Sequence, residues 1–184
     1  MPVQRLIIAA LVALFATSAV AQAPPAPPVR VRGQIEAVGD KLLTVKSRDG
    51  GVVKSTLNDP LTVTAVSKIA IDEIKPNSFV GISSVKGTDG KHYALEVHVF
   101  PEASRGSNEG HYPWDLKPES MLTNATVAAI AAEAKGRVLT MKYKQSDQPI
   151  EITVPLDVPI VAFQPGTPDL LKVGHHIFSG TQKA

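Results

Sequence analysis

From Val29 onward, apolar and polar residues alternate in short runs broken by Gly, Asp, Asn and Pro. A period of two over four to eight residues is the pattern of a half-buried β-strand. Val31–Val38 makes a first strand, and Leu42–Lys46 is its hairpin partner across Gly39-Asp40. Arg48-Asp49-Gly50-Gly51 is a turn, since Asp-Gly and Gly-Gly tolerate positive φ. Strands follow over Val52–Leu57, Leu61–Val66, Phe79–Val85 and His92–Phe100, with turns at Asn58-Asp59-Pro60 and Thr88-Asp89-Gly90. Ile71 and Ile74 stand three apart, the spacing of one helical turn, and Lys75-Pro76-Asn77 stops it. The spacing predicts a five- or six-stranded barrel over residues 29–101, with an open sandwich as the other arrangement.

The second half repeats this order over residues 124–184. Ala125–Ile130 answers Gly33–Val38, and Val138–Lys142 answers Leu42–Lys46. Pro149–Val154 answers the third strand, and Pro159–Phe163 answers Leu61–Val66. Asp169–Val173 answers Asp72–Pro76. The alanine-rich run from Ala125 to Ala134 also suits a helix capped by Asn124, but Val138 onward needs a hairpin partner, so a strand is expected. The second copy has no counterpart of His92–Phe100. The expected fold is therefore all-β: two tandem OB-like small β-barrels, the second lacking its closing strand. Its open edge would accept a strand from a partner or form a homodimer by strand exchange, and a shortened chain with a frayed second domain explains the same gap.

Residues 102–123 separate the copies and hold the single tryptophan. A tryptophan buries about 200 Å². Tyr112, Trp114 and Asp115 are thus expected to plug the junction or to offer a ligand platform.

Residues 1–21 read as a signal peptide. Arg5 precedes the apolar run Leu6–Phe15, and Ala19-Val20-Ala21 is a cleavage pattern. The run is too short to span a bilayer, which takes about 20 residues. Residues 22–28 form a proline-rich spacer of polyproline II type. Export to the periplasm follows, with no membrane span after cleavage. Charge is nearly balanced, with 19 basic and 17 acidic residues, which gives no steering toward nucleic acid. No cysteine is present, so stability must come from apolar burial.

Chemistry-bearing patterns are sparse. Glu96 and His98 fall on one face of a strand, their Cα atoms about 6.6 Å apart. With Glu109 and His111, and Glu102 nearby, they are the candidate ligands for zinc or copper. A solvated strand face with a structural hinge histidine explains the same residues. No serine elbow, cysteine nucleophile or marked carboxylate pair is present, so no enzyme is expected. The expected role is a non-catalytic binding or interaction module for a protein or small ligand. Metal binding through Glu96, His98 and His111 is the alternative.

Val31–Val38, the Ile74-Lys75-Pro76 turn, Ala94–Glu102 and Gly110–Asp115 together resemble a secreted bacterial family built of tandem OB-like small barrels and without an assigned function. The resemblance covers nearly all of the chain after the leader. It implies the fold and the export route but no activity. Some members of that family carry a metal-transporter permease label, which implies membrane spans that this sequence does not contain after its leader.

Overall fold

The computed structural model describes residues 29–181. The leader, its cleavage site and the proline-rich spacer lie outside the described residues. Among the described residues there are twelve strands, and the only helical segments are three single 3₁₀ turns. The first strands are β1 (Val29–Val38), β2 (Leu42–Ser47), β3 (Val52–Thr56) and β4 (Val63–Lys68). Then come β5 (Phe79–Lys86), β6 (His92–Val99), β7 (Gly110–Pro113) and β8 (Met121–Glu133). The chain closes with β9 (Gly136–Lys142), β10 (Ile150–Pro155), β11 (Ile160–Gly166) and β12 (His176–Thr181). The alanine-rich run is strand, because β8 is hydrogen-bonded along its length to β5, β7 and β9. The helical turns expected after β4 and β11 are present at Ile71–Glu73 and Pro168–Leu170. Glu73 caps the first, accepting a 2.9 Å hydrogen bond from the Ala70 N–H.

The all-β barrel expectation holds, but the barrels do not follow the halves of the chain. One sheet runs β10-β9-β8-β5-β6, and a parallel pairing of β10 with β6 closes it into a five-stranded barrel. Two of its strands come from the first half and three from the second. The other sheet has the order β12-β1-β2-β3, so it combines the opening strands of the first half with the last described strand of the second. The expected units, 29–101 and 124–184, therefore interleave instead of standing in tandem. Both copies carry interchangeable strands, and a strand's alternation specifies its inward face but not which copy supplies its neighbour.

The two copies nevertheless keep one register. Val80 faces Ala125 in the barrel, and Ile177 faces Gly33 at the matching position of the other sheet. A bulge falls between Val127 and Ala129 in β8 and between Ile35 and Ala37, its equivalents, in β1. The exchange is made by β4 and β11, which pair antiparallel with Val66 opposite Phe163. Val66 and Phe163 are themselves equivalent, so a pseudo-two-fold axis passes through this pair. Around it, Lys68 faces Val161 and Thr64 faces Pro165, one the image of the other.

The two sheets differ in how much they bury. The barrel core contains Val80, Ile82, Val97, Ala125, Leu139, Met141, Ile152 and Val154 among its fully enclosed side chains. The open sheet encloses only Val31, Ile35, Leu43 and Val45, with Val53, Leu57, Leu171 and Ile177 partly covered. That matches its four strands, among the described residues, against the five of the closed barrel.

Candidate functional site

Alternation puts Val80 and Ile82 of β5 inside the barrel, and Gly81 and Ser83 outside. Strand β6 carries an irregularity opposite Ser83 and Ser84, where Glu96 pairs with Ser83 but Ala94 pairs with Ser84. This resets the alternation. Glu96 and His98 face outward with Ser83, while Ala94 joins the core. Unbroken alternation would put Ala94 on the face of Glu96 and His98, and the bulge moves it to the core.

Outside, Glu96 Oε1 lies 3.5 Å from His98 Nε2 and accepts a 2.9 Å hydrogen bond from the Ser83 hydroxyl. Burial pushes the Glu96 carboxyl up. Hydrogen bonds from His98 and Ser83, with the charges of His98 and Arg32, outweigh burial and hold it below the usual carboxylate range. The His98 ring packs 4.9 Å from Phe163, which meets Phe100 edge-on at 5.4 Å. Glu96, His98, Phe163 and Phe100 thus form one continuous strip on the outer face of the barrel.

The strip ends in a groove of about 590 Å³ between the β4–β11 pair and the loop after β6. Leu61, Phe100, Asn108, Asn124, Phe163 and Gln164 are among its walls. Asn124 is 4% exposed. Its Nδ2 donates to the Asn108 carbonyl at 3.0 Å and to the Tyr112 hydroxyl at 2.9 Å. A carbonyl only accepts, so these bonds fix the amide's orientation. Its Oδ1 is left buried without a partner among the described residues. A Cβ on Gly81 would come 2.5 Å from that oxygen and 2.9 Å from the Phe100 ring edge. Glycine is thus what lets oxygen and ring converge on the floor.

Arg105 ties the loop to the barrel. It pairs with Glu102 and donates to the Asn77 carbonyl at 2.8 Å and the Thr126 hydroxyl at 3.2 Å.

The four expected metal ligands do not converge. Glu96 and His98 are together outside the barrel. His111 points inward, with Nδ1 2.8 Å from the Thr123 hydroxyl and its ring 5.7 Å from that of His92 and 6.5 Å from Tyr143. Glu109 accepts a 3.1 Å bond from the Lys144 N–H and lies 3.7 Å from that side chain's ammonium group. Glu102 is taken by Arg105. Among the described residues no group of three or more His, Cys, Asp or Glu is placed to hold a metal ion. The reason is strand parity: Glu96 and His98 lie on the outer surface, while His111 shares the inward side of β8 with Thr123.

The hinge aromatics diverge as well. Tyr112 joins Asn124 at the groove. Trp114 turns to the open sheet, where the Arg30 guanidinium lies 4.2 Å and that of Arg32 5.6 Å from its ring. Phe178 of β12 is 6.4 Å away. Asp115 takes two bonds from Arg32, at 2.9 and 3.2 Å, and lies 3.6 Å from Arg30. The Arg32 hydrogen bond is the main cause holding the Asp115 carboxyl below its ordinary range. Trp114 and Asp115 together fasten the hinge to β1.

The pairing of His92 with His111 went unseen in the sequence, because the bulge that turns His92 inward leaves no compositional mark. Burial lowers both imidazoles, and Lys86 beside His92, with His92 beside His111, lowers them further. The fold therefore holds them neutral while the unfolded chain binds their protons from pH 6.5 downward. Their contribution to stability is complete above that pH and falls as the pH drops through the lower folded values. Urea midpoints measured from pH 7.5 to 5 are expected to decline, and a His111→Gln variant to decline less steeply.

No protein-family profile matches the chain, and no curated protein or solved structure is similar to it.

Proposed function

We propose that this chain is an exported, periplasmic, non-catalytic binding module that takes a small, largely apolar ligand in the groove floored by Phe100, Phe163 and Asn124. One observation carries this reading: a 4%-exposed asparagine whose amide orientation is fixed and whose carbonyl oxygen has no partner at the base of a ligand-sized hollow. A ligand N–H or O–H would bond to that oxygen, and the Phe100 and Phe163 rings that also line the groove would supply apolar contact. The export part rests on the leader pattern of residues 1–21. Metal binding through Glu96, His98 and His111 is less well supported, because Glu96 and His98 offer two donors and the third lies across the sheet.

The test is a screen of small neutral aromatic amides and alcohols by amide and methyl NMR shifts. Shifts are expected to cluster at Phe100, Phe163, Asn124 and Gly166. A Gly81→Ala variant, whose added methyl pushes on Asn124 and Phe100, is expected to weaken them about tenfold, the equivalent of 1.4 kcal/mol. Shifts spread over the surface, or unchanged binding by the variant, would refute the groove as the site.

A further inference from the structure

The open sheet poses a question separate from the groove. In the closed barrel, β6 is the strand that completes the ring, antiparallel to β5 on one side and parallel to β10 on the other. The equivalents of β5 and β10 in the open sheet are β12 and β3. They are its two edges, and among the described residues no strand pairs with their outer sides.

We propose that the open sheet is a strand acceptor: it closes into a second barrel around one extended segment of another protein. That segment would run antiparallel to β12 and parallel to β3. Its alternate residues would be apolar, and the residues between them polar or acidic.

Three observations support this. First, the matching edges differ in burial as they should if one has its neighbour and the other does not. Residues Phe79–Ser84 of β5 are all buried. On β12, His176, Phe178 and Gly180 are exposed, with Phe178 57% accessible. On β10, Ile152 and Val154 are wholly enclosed. Their equivalents, Ser55 on β3 and Leu57 just beyond it, remain half-covered, and Val52 is 59% accessible.

Second, β6 shows what fits such a gap. It brings Ala94 and Val97 inward and Glu96 and His98 outward. The open sheet's small core, four enclosed side chains against twelve in the barrel, lacks such an inward contribution.

Third, the outward side of the gap is basic. Arg30 and Arg32 on β1 are already engaged by Asp115, but Lys54 on β3 and Lys46, diagonal to it on β2, face outward beside the free edge. Acidic residues on the incoming strand meet these charges. A second copy of this chain satisfies the gap less well. Its free edges belong to strands already paired on one side, so an edge-to-edge contact covers one edge and leaves the other open.

The experiment uses the whole protein and a peptide copying Lys91–Phe100, the chain's own template. Amide exchange is read with that peptide and with a control carrying Ala94→Asp and Val97→Asp. The template peptide is expected to slow exchange by about tenfold or more at Val52–Thr56 and His176–Thr181, with Trp114 fluorescence changing through Phe178, and the control to do neither. Four results would overturn the proposal. The two edges could already exchange slowly in dilute protein without peptide. Protection could rise with protein concentration alone, which would make a second copy the occupant. Both peptides could behave alike. The template peptide could instead protect or expose β5 and β10, which would mean that it displaces β6.

Discussion

Replacing Leu139 with alanine is expected to cost near the top of the range of about 2–5 kcal/mol seen for buried Leu→Ala changes. The same change at Leu43, its repeat equivalent, is expected to fall near the bottom. Leu139 is 0% exposed in a core closed on all sides by five strands, so the cavity left behind has little room to collapse. Leu43 is 4% exposed in a sheet with two open edges and a four-residue core, whose neighbours can relax into the space. In a chain of this size the larger loss lowers the melting temperature by about 10–20 °C. Urea unfolding of the two variants side by side provides the check. Equal losses would mean that the open sheet is as well enclosed as the barrel.

That contrast separates what was legible in the sequence from what was not. Strand positions were legible because the alternation and the Asp-Gly, Gly-Gly and Asn-Asp-Pro breaks are local. The duplication was legible too: the correspondence of Gly33–Val38 with Ala125–Ile130 reappears as identical registers with the same bulge, and that of Asp72–Pro76 with Asp169–Val173 as matching 3₁₀ turns. The exchange of strands between copies was not legible. Val80 packs as well against Ala125 as a tandem arrangement would pack it against Gly33, and no local signal chooses between them. The choice is made at β4 and β11, where the Val66–Phe163 pairing crosses the two paths.

The site was legible only in fragments. Glu96 and His98 could be placed on one face by parity alone, and they do meet. His111 could not be placed, because its face depends on how β7 registers against β8. The groove has no local signature either. Phe100, Asn124 and Phe163 lie far apart in the chain, and what unites them is the crossing of β4 with β11 beside the loop that Arg105 anchors. Gly81 carries the one local hint, a glycine inside an otherwise apolar strand.

Cutting the chain in the hinge has the largest consequence of all. The barrel takes β5 and β6 from one side of the cut and β8, β9 and β10 from the other, and the open sheet takes β1–β3 from one side and β12 from the other. Neither piece contains a complete sheet. Each would have to leave apolar faces such as Ile82 with Val97, or Leu139 with Ile152, against water, and a two- or three-stranded remnant is marginal at best. Separation is therefore expected to unfold both pieces, and recombination to restore both sheets.

Preparing residues 29–106 and 107–184 separately, and recording amide NMR spectra of each and of an equimolar mixture, tests the interleaved architecture most directly. The account predicts collapsed, undispersed spectra for each piece and a dispersed β spectrum for the mixture, with cross-strand contacts between Val80 and Ala125 and between Gly33 and Ile177. A dispersed spectrum from residues 29–106 alone, with β1 paired to β5, would contradict it.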